Sequence, residues 1–205
     1  MKWTRLGLAA LATAGALALA APGARADFIS TLNATNDSNL GSGPYGTVDV
    51  SLSGTTATIT FTASGNITGF VDSNVADVNL NASSFTFSNS CATCTSILTD
   101  TGSGNVDGQG TFNLTTTIGN ASNPLTSIVF QVTSSSFTSA DTVLVANNKG
   151  ADAAAHIAVP GFTGFVGETG TTPPPSVPEP ASLALLGTAL LGVGVAVRRR
   201  KSNIA

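Results

Sequence analysis

The chain has 205 residues, of which 9% are charged and 42% hydrophobic, with two cysteines and a formal net charge of −3. That length allows one ordinary domain, or a small domain with appendages. Seven of the eight basic residues lie towards the ends (Lys2, Arg5, Arg25, Arg198, Arg199, Arg200 and Lys201), while residues 27–178 hold one Lys (Lys149), no Arg and ten carboxylates, a balance of −9. Such a body excludes a nucleic-acid binder that works by neutralising phosphates and docking on anionic lipid through basic residues.

Residues 1–26 have the layout of a secretory signal peptide. Lys2 and Arg5 give a positive start, residues 6–21 an Ala- and Leu-rich apolar run, and Ala24 and Ala26 the small residues at the −3 and −1 positions of a cleavage site. The alternative is an uncleaved membrane anchor. The apolar run is short, however, and Pro22 and Gly23 break it just before the small residues. The expectation is cleavage after Ala26 and a mature chain that starts at Asp27 outside the cytoplasm.

Residues 27–168 read as an all-β ectodomain. Val48, Val50 and Leu52 alternate with polar residues, and after Gly54-Thr55 so do Ala57, Ile59, Phe61 and Ala63, which predicts a hairpin. Val78 and Leu80 follow, then Phe85 and Phe87. Phe112, Leu114, Thr116 and Ile118 keep the period, as do Ile128, Phe130 and Val132, and then Val143 and Val145. Gly, Asn, Asp and Ser clusters separate the runs. Residues 151–158 are ambiguous between helix and strand. About eight short strands over this length predict a β-sandwich or jelly roll, with most of the ten Phe residues on the inward phase as packing rather than as a ligand platform.

Chemistry-bearing residues are sparse. Cys91 and Cys94 are the two cysteines, and in an exported chain they form one small-loop disulfide most simply. A redox pair would want a βαβ context, and a zinc site would need further ligands where His156 is the single histidine. Residues 100–110 read as a Gly-rich loop between strands. Its oxygen donors Asp100, Asn105 and Asp107 are a weak calcium candidate whose spacing fits no standard calcium loop. His156 lies near Asp152, and serines abound, but no Gly-x-Ser-x-Gly elbow accompanies them. Carboxylate pairs of glycosidase type can be drawn, with Glu168 the one Glu before the tail. No catalytic residue, metal or cofactor is expected. Ser and Thr make up 46 of residues 27–178, which suits a solvated strand face and also offers many sugar acceptors.

Residues 169–177 form a Pro- and Thr-rich linker of extended type. Pro178-Glu179-Pro180 follows. Residues 181–197 are apolar apart from Ser182 and Thr188, and Arg198, Arg199, Arg200 and Lys201 close the run. Seventeen residues of helix reach about 25 Å, the low end for a transmembrane span, and the basic cluster would keep that end in the cytoplasm. A buried core helix, the alternative, needs neither the stalk nor the basic stop.

The order of Pro178-Glu179-Pro180, apolar span and basic cluster resembles the PEP-CTERM sorting signal of exported proteins in Gram-negative bacteria. The resemblance implies recognition of Pro178, Glu179 and Pro180 and removal of the anchor by an exosortase, with this chain as substrate. The body is similar to a group of uncharacterised PEP-CTERM ectodomains through residues 43–48, 78–85 and 153–159, a likeness that implies a coherent fold and no activity. The expected protein is therefore non-enzymatic. It is held for a time at the inner membrane and then placed at the cell surface, outer envelope or extracellular matrix, in a structural or exopolysaccharide-associated role. A carbohydrate-binding module is the alternative, and a secreted hydrolase the third possibility.

Overall fold

Strict alternation makes residues 46–63 a hairpin. Strands β2 (Gly46–Ser53) and β3 (Thr56–Ala63) pair antiparallel without a slip, from Gly46↔Ala63 to Ser53↔Thr56. Gly54 takes φ 62° at the first of the two turn positions, where a II′ hairpin turn requires glycine. Val48, Val50, Ala57, Ile59 and Phe61 face inward and are fully buried, as their period-2 spacing dictates.

The computed structural model describes residues 27–90, 98–118 and 123–168, all within the compact unit that spans Arg25–Pro175. Around the hairpin stand β1 (Phe28–Thr35), β4 (Gly69–Phe70), β5 (Asp77–Val78), β6 (Thr86–Asn89), β7 (Thr99–Val106), β8 (Gly110–Thr117), β9 (Ser127–Thr133), β10 (Ala153–Val159) and β11 (Phe162–Glu168). Their order is β6-β9-β3-β2-β1-β11-β10-β5-β8-β7, with β4 also on β10. All pairs are antiparallel.

The all-β expectation holds, but one nearly closed sheet stands where two facing sheets were predicted. Two features account for it. The first and last strands of the unit, β1 and β11, pair with each other. On the far side Phe70 and Leu125 exchange backbone hydrogen bonds of 2.8 and 2.9 Å, so β4 links β10 to the segment entering β9. A ring of strands results around a main core. Phe61 meets Phe70 edge-on at 6.0 Å and stacks on Phe130 at 6.3 Å, and Phe87 lies 5.6 Å from Phe130. Such ring pairs add to area burial alone.

Polar side chains complete the ladder where β5 is short. Asn113 receives from Leu80 N–H at 2.7 Å and donates to Leu80 O at 2.8 Å. Thr116 Oγ1 donates to Ala76 O at 2.8 Å, and Asp77 Oδ1 accepts from Thr116 N–H at 2.8 Å.

Four local expectations change. Phe28–Thr35 is a strand that alternation did not reveal, because Ser30 occupies a fully buried inward position between Phe28 and Leu32. Residues 100–110, expected as a loop, form most of β7 and its turn into β8. Val143 and Val145 are not a strand. A 3₁₀ turn at Ala140–Thr142 precedes them, and consecutive Val143 and Leu144 are both buried. Residues 153–159, the ambiguous stretch, are β10. It lacks alternation because both of its faces are covered: Ala153, Ala155 and Ile157 join the main core, while Ala154 packs with Val106, Phe112 and Ala151 in a second, smaller cluster.

Tyr45 supplies a local test. Its ring is buried and its hydroxyl donates to Gly41 O at 2.6 Å. Tyr45→Phe keeps the ring and orphans the carbonyl, so urea unfolding should show a loss of about 1 kcal/mol at unchanged m.

Candidate functional site

Four segments that are distant in sequence meet at one end of the sheet and line a half-open cavity of about 200 Å³. The end of β1 contributes Ala34 and Thr35, with Asn36 just beyond it. The β7–β8 turn contributes Gly108 and Gln109. The turn before β10 brings Lys149 and Ala151, and β11 ends there with Glu168.

The turns are built for close approach. Gly108 takes φ 74°, and a Cβ there would collide with the Asn36 amide; a Cβ on Gly167 would meet Gln109 Oε1. Asn147 organises the lysine turn. Its Oδ1 accepts from Lys149 N–H at 2.8 Å and from Ala151 N–H at 3.1 Å, and its Nδ2 donates to Gln109 O at 2.9 Å. Asn148 Oδ1 accepts from Thr111 N–H at 3.0 Å. A short Asx-type turn is thereby locked onto the β7–β8 hairpin, with Lys149 exposed above it.

Two carboxylates lie beneath. Asp152 and Glu168 are 3% and 2% exposed. Glu168 Oε2 accepts from Asp152 N–H at 3.4 Å, whereas Oε1 has no hydrogen-bond partner among the described residues. Burial, and then the nearby Asp152 charge, push the Glu168 carboxyl up to about 7 from 4.5, against the smaller opposing effect of the Asp152 N–H. Burial also raises Asp152. The cavity thus offers a carboxyl that donates or accepts near neutral pH, amides that do both, and the single cation of residues 27–168. Among the described residues no aromatic side chain lines it.

His156 stands apart from this site. Its ring stacks on Phe165 at 4.4 Å, and Nδ1 is buried without a partner among the described residues. Burial lowers its pKa, partly offset by the charge of Asp72 and a bond to the Ser73 backbone. Asp152 lies four residues back, about 13 Å along an extended chain, and its backbone N–H donates to Glu168 instead. The charge beside this histidine thus comes from Asp72, which sequence proximity did not suggest.

The calcium candidates are spread out rather than gathered. Asp100 and Asn105 sit at opposite ends of β7, across from Thr116 and Thr111, and Asp107 is in the turn beyond. Asp100 Oδ1 accepts from Gly102 N–H at 2.6 Å. Among the described residues no three His, Cys, Asp or Glu side chains cluster to hold a metal. Ala24, Ala26, Cys91, Cys94, Pro178, Glu179, Pro180 and the cluster Arg198, Arg199, Arg200 and Lys201 lie outside the described residues, as does the apolar run 181–197. Among the described residues no helix is long and apolar enough to cross a membrane.

The tail is decided by comparison. Residues 176–201 match the PEP-CTERM protein-sorting motif. The chain carries a PEP-CTERM sorting motif. The match takes in Pro178, Glu179, Pro180, the apolar run and the basic cluster, and it supports an exported, envelope-targeted protein sorted by an exosortase. No curated protein and no solved structure matches the PEP-CTERM chain.

Sequence reasoning saw Lys149 as the one body cation and Glu168 as the one body Glu. It did not bring them together, and it passed over Gln109 and Asn36. Their meeting depends on β1 lying beside β11 and on the β7–β8 turn reaching both.

Proposed function

We propose that this PEP-CTERM protein is a non-catalytic component of the cell surface or extracellular matrix of a Gram-negative bacterium. It is exported by its signal peptide, held for a time in the inner membrane by residues 181–197, cut by an exosortase at Pro178-Glu179-Pro180, and then associated with exopolysaccharide. The observation that carries the reading is the sorting motif at residues 176–201, on a chain whose body holds one Lys and ten carboxylates. Two prolines keep a recognition segment extended and outside any helix, which suits access by a processing enzyme. High negative charge favours solubility of the released body, and its many Ser and Thr residues are available for O-glycosylation.

The test is intact mass with C-terminal peptide mapping of the protein from its own host. A chain that starts at Asp27 and ends near Glu179 is the expected species. Replacing Pro178, Glu179 and Pro180 together by Ala should leave the full tail in place and the protein in the membrane fraction. Release of that triple variant at the normal size would overturn the processing step. A carbohydrate-binding module is the second reading, favoured by the amide-rich cavity with its buried carboxyl. Saturable binding to purified native polysaccharide separates it from a purely structural coat.

A further inference from the structure

Resting on the exopolysaccharide reading, we propose that the cavity between the end of β1, the β7–β8 turn, the Lys149 turn and Glu168 is a binding subsite for one acidic sugar unit, a saccharide ring that bears a carboxylate.

Size comes first. About 200 Å³ is below the ~300–1,000 Å³ of sites that enclose a drug-sized ligand. It suits one unit of a longer chain whose neighbours stay in solvent. Chemistry comes second. With no aromatic in the lining among the described residues, recognition runs through hydrogen bonds and charge. Glu168 lines the cavity, is 2% exposed, and leaves Oε1 without a partner among the described residues. Buried polar atoms are nearly always paired, and an unpaired one weakens the fold. A sugar hydroxyl supplies the missing partner once the Glu168 carboxyl turns towards the cavity that the residue lines. The Gln109 and Asn36 amides offer donors and acceptors to further hydroxyls.

Charge selects the class. Residues 27–168 carry ten carboxylates and one cation, a field that repels acidic polymers everywhere except where Lys149 stands. Lys149 lines the cavity from a turn that the Asn147 side chain ties with three hydrogen bonds. A carboxylate on the ring pairs with Lys149 while its hydroxyls reach Glu168.

The groups that face Glu168 set the pH response. Asp152 lies before β10, Lys149 across the cavity, neutral Gln109 on the β7–β8 turn, and neutral Thr35 and Asn36 on the β1 side. A protonated Glu168 donates to the ligand. An ionised one repels an anionic ring, so binding should weaken as pH rises past neutrality.

The experiment is titration calorimetry on the full-length chain at low ionic strength, since exposed charge pairs are screened by salt. The probes are short oligomers of galacturonic acid and the same oligomers with their carboxyls reduced. The expected result is saturable binding of the acidic oligomer at pH 6, about tenfold weaker at pH 8, with the reduced oligomer about tenfold weaker at pH 6. Lys149→Gln, an exposed change that leaves thermal unfolding unaltered, should bring the two oligomers close to parity. Glu168→Gln should flatten the pH dependence. Equal binding of both oligomers, no binding of either, or wild-type behaviour in both variants would each overturn the subsite. Native polysaccharide distinguishes the two levels. If it binds the wild type and both variants alike, the subsite is wrong and the exopolysaccharide association stands. If it does not bind the wild type, that association falls as well.

Discussion

Phe130→Ala should cost this protein about 3–5 kcal/mol of unfolding free energy. Phe130 sits in mid-β9, opposite Ile59 on β3 and Asn89 on β6, and is fully buried. Its ring stacks on Phe61 and tilts against Phe87, which ties three adjacent strands to one side chain. Truncation removes the ring's transfer free energy and leaves a cavity that a hydrogen-bonded sheet cannot collapse around. Domains of this size are stable by only about 5–15 kcal/mol, so the change takes about a fifth or more of the total. The urea midpoint should fall sharply while the m-value stays the same. Phe162→Ala is the control: at 52% exposure its effect should stay within about 0.5 kcal/mol. A Phe130→Ala loss below about 1 kcal/mol would mean that β9 does not close over the core.

The second large effect is on pH. Glu168 is held near about 7 in the folded protein against an ordinary 4.5, by burial first and Asp152 second. Below about 4.5 it is protonated in both folded and unfolded chains, and its full contribution to stability is present. Between 4.5 and 7 the unfolded chain releases the proton more readily, so stability falls as pH rises, and above about 7 the contribution is lost. The gap sets a ceiling of about 3 kcal/mol; water reaching the cavity lowers it to roughly 1–2 kcal/mol. Asp77 acts in the same direction. Its carboxyl is raised well above the usual range by burial, against the Thr116 N–H that it accepts. His156, lowered mainly by burial, acts oppositely and loses its contribution as pH falls. Unfolding measured from pH 4.5 to 8 should therefore show declining stability towards the alkaline side. Glu168→Gln should remove about 1–2 kcal/mol of that decline. A wild-type profile that rises across this interval would mean that Glu168 is solvated and ionised in the folded state.

The hairpin of β2 and β3 was legible because both strands bury one face only, so its apolar residues keep a clean period of two around Gly54. Where that condition fails, so does the reading. Ser30 on an inward position hid β1, and the two covered faces of β10 replaced alternation with a run of alanines. β7 is exposed along most of its length and rich in Gly, Ser and Thr, so it offers no apolar signal, and its identity depends on pairing with β8. The tail was legible because its signal is local: motif, span and charge follow one another in one segment. The cavity was not, because Asn36, Gln109, Lys149 and Glu168 come from four separate stretches and are joined by sheet closure alone. Spacing along a chain carries no information about residues that meet only through long-range pairing.

The place of β11 has a mechanical consequence. This last strand lies inside the sheet, antiparallel to β10 along Ala154↔Gly167 to Val159↔Phe162 and to β1 from Leu32↔Glu168. A pull applied at Glu168 runs along the strand, at right angles to the hydrogen bonds on both of its sides. The rungs are then strained together in shear rather than opened one at a time as in a zipper. A body tethered through this strand resists drag as a riveted lap joint does, by sharing the load among all its fasteners at once.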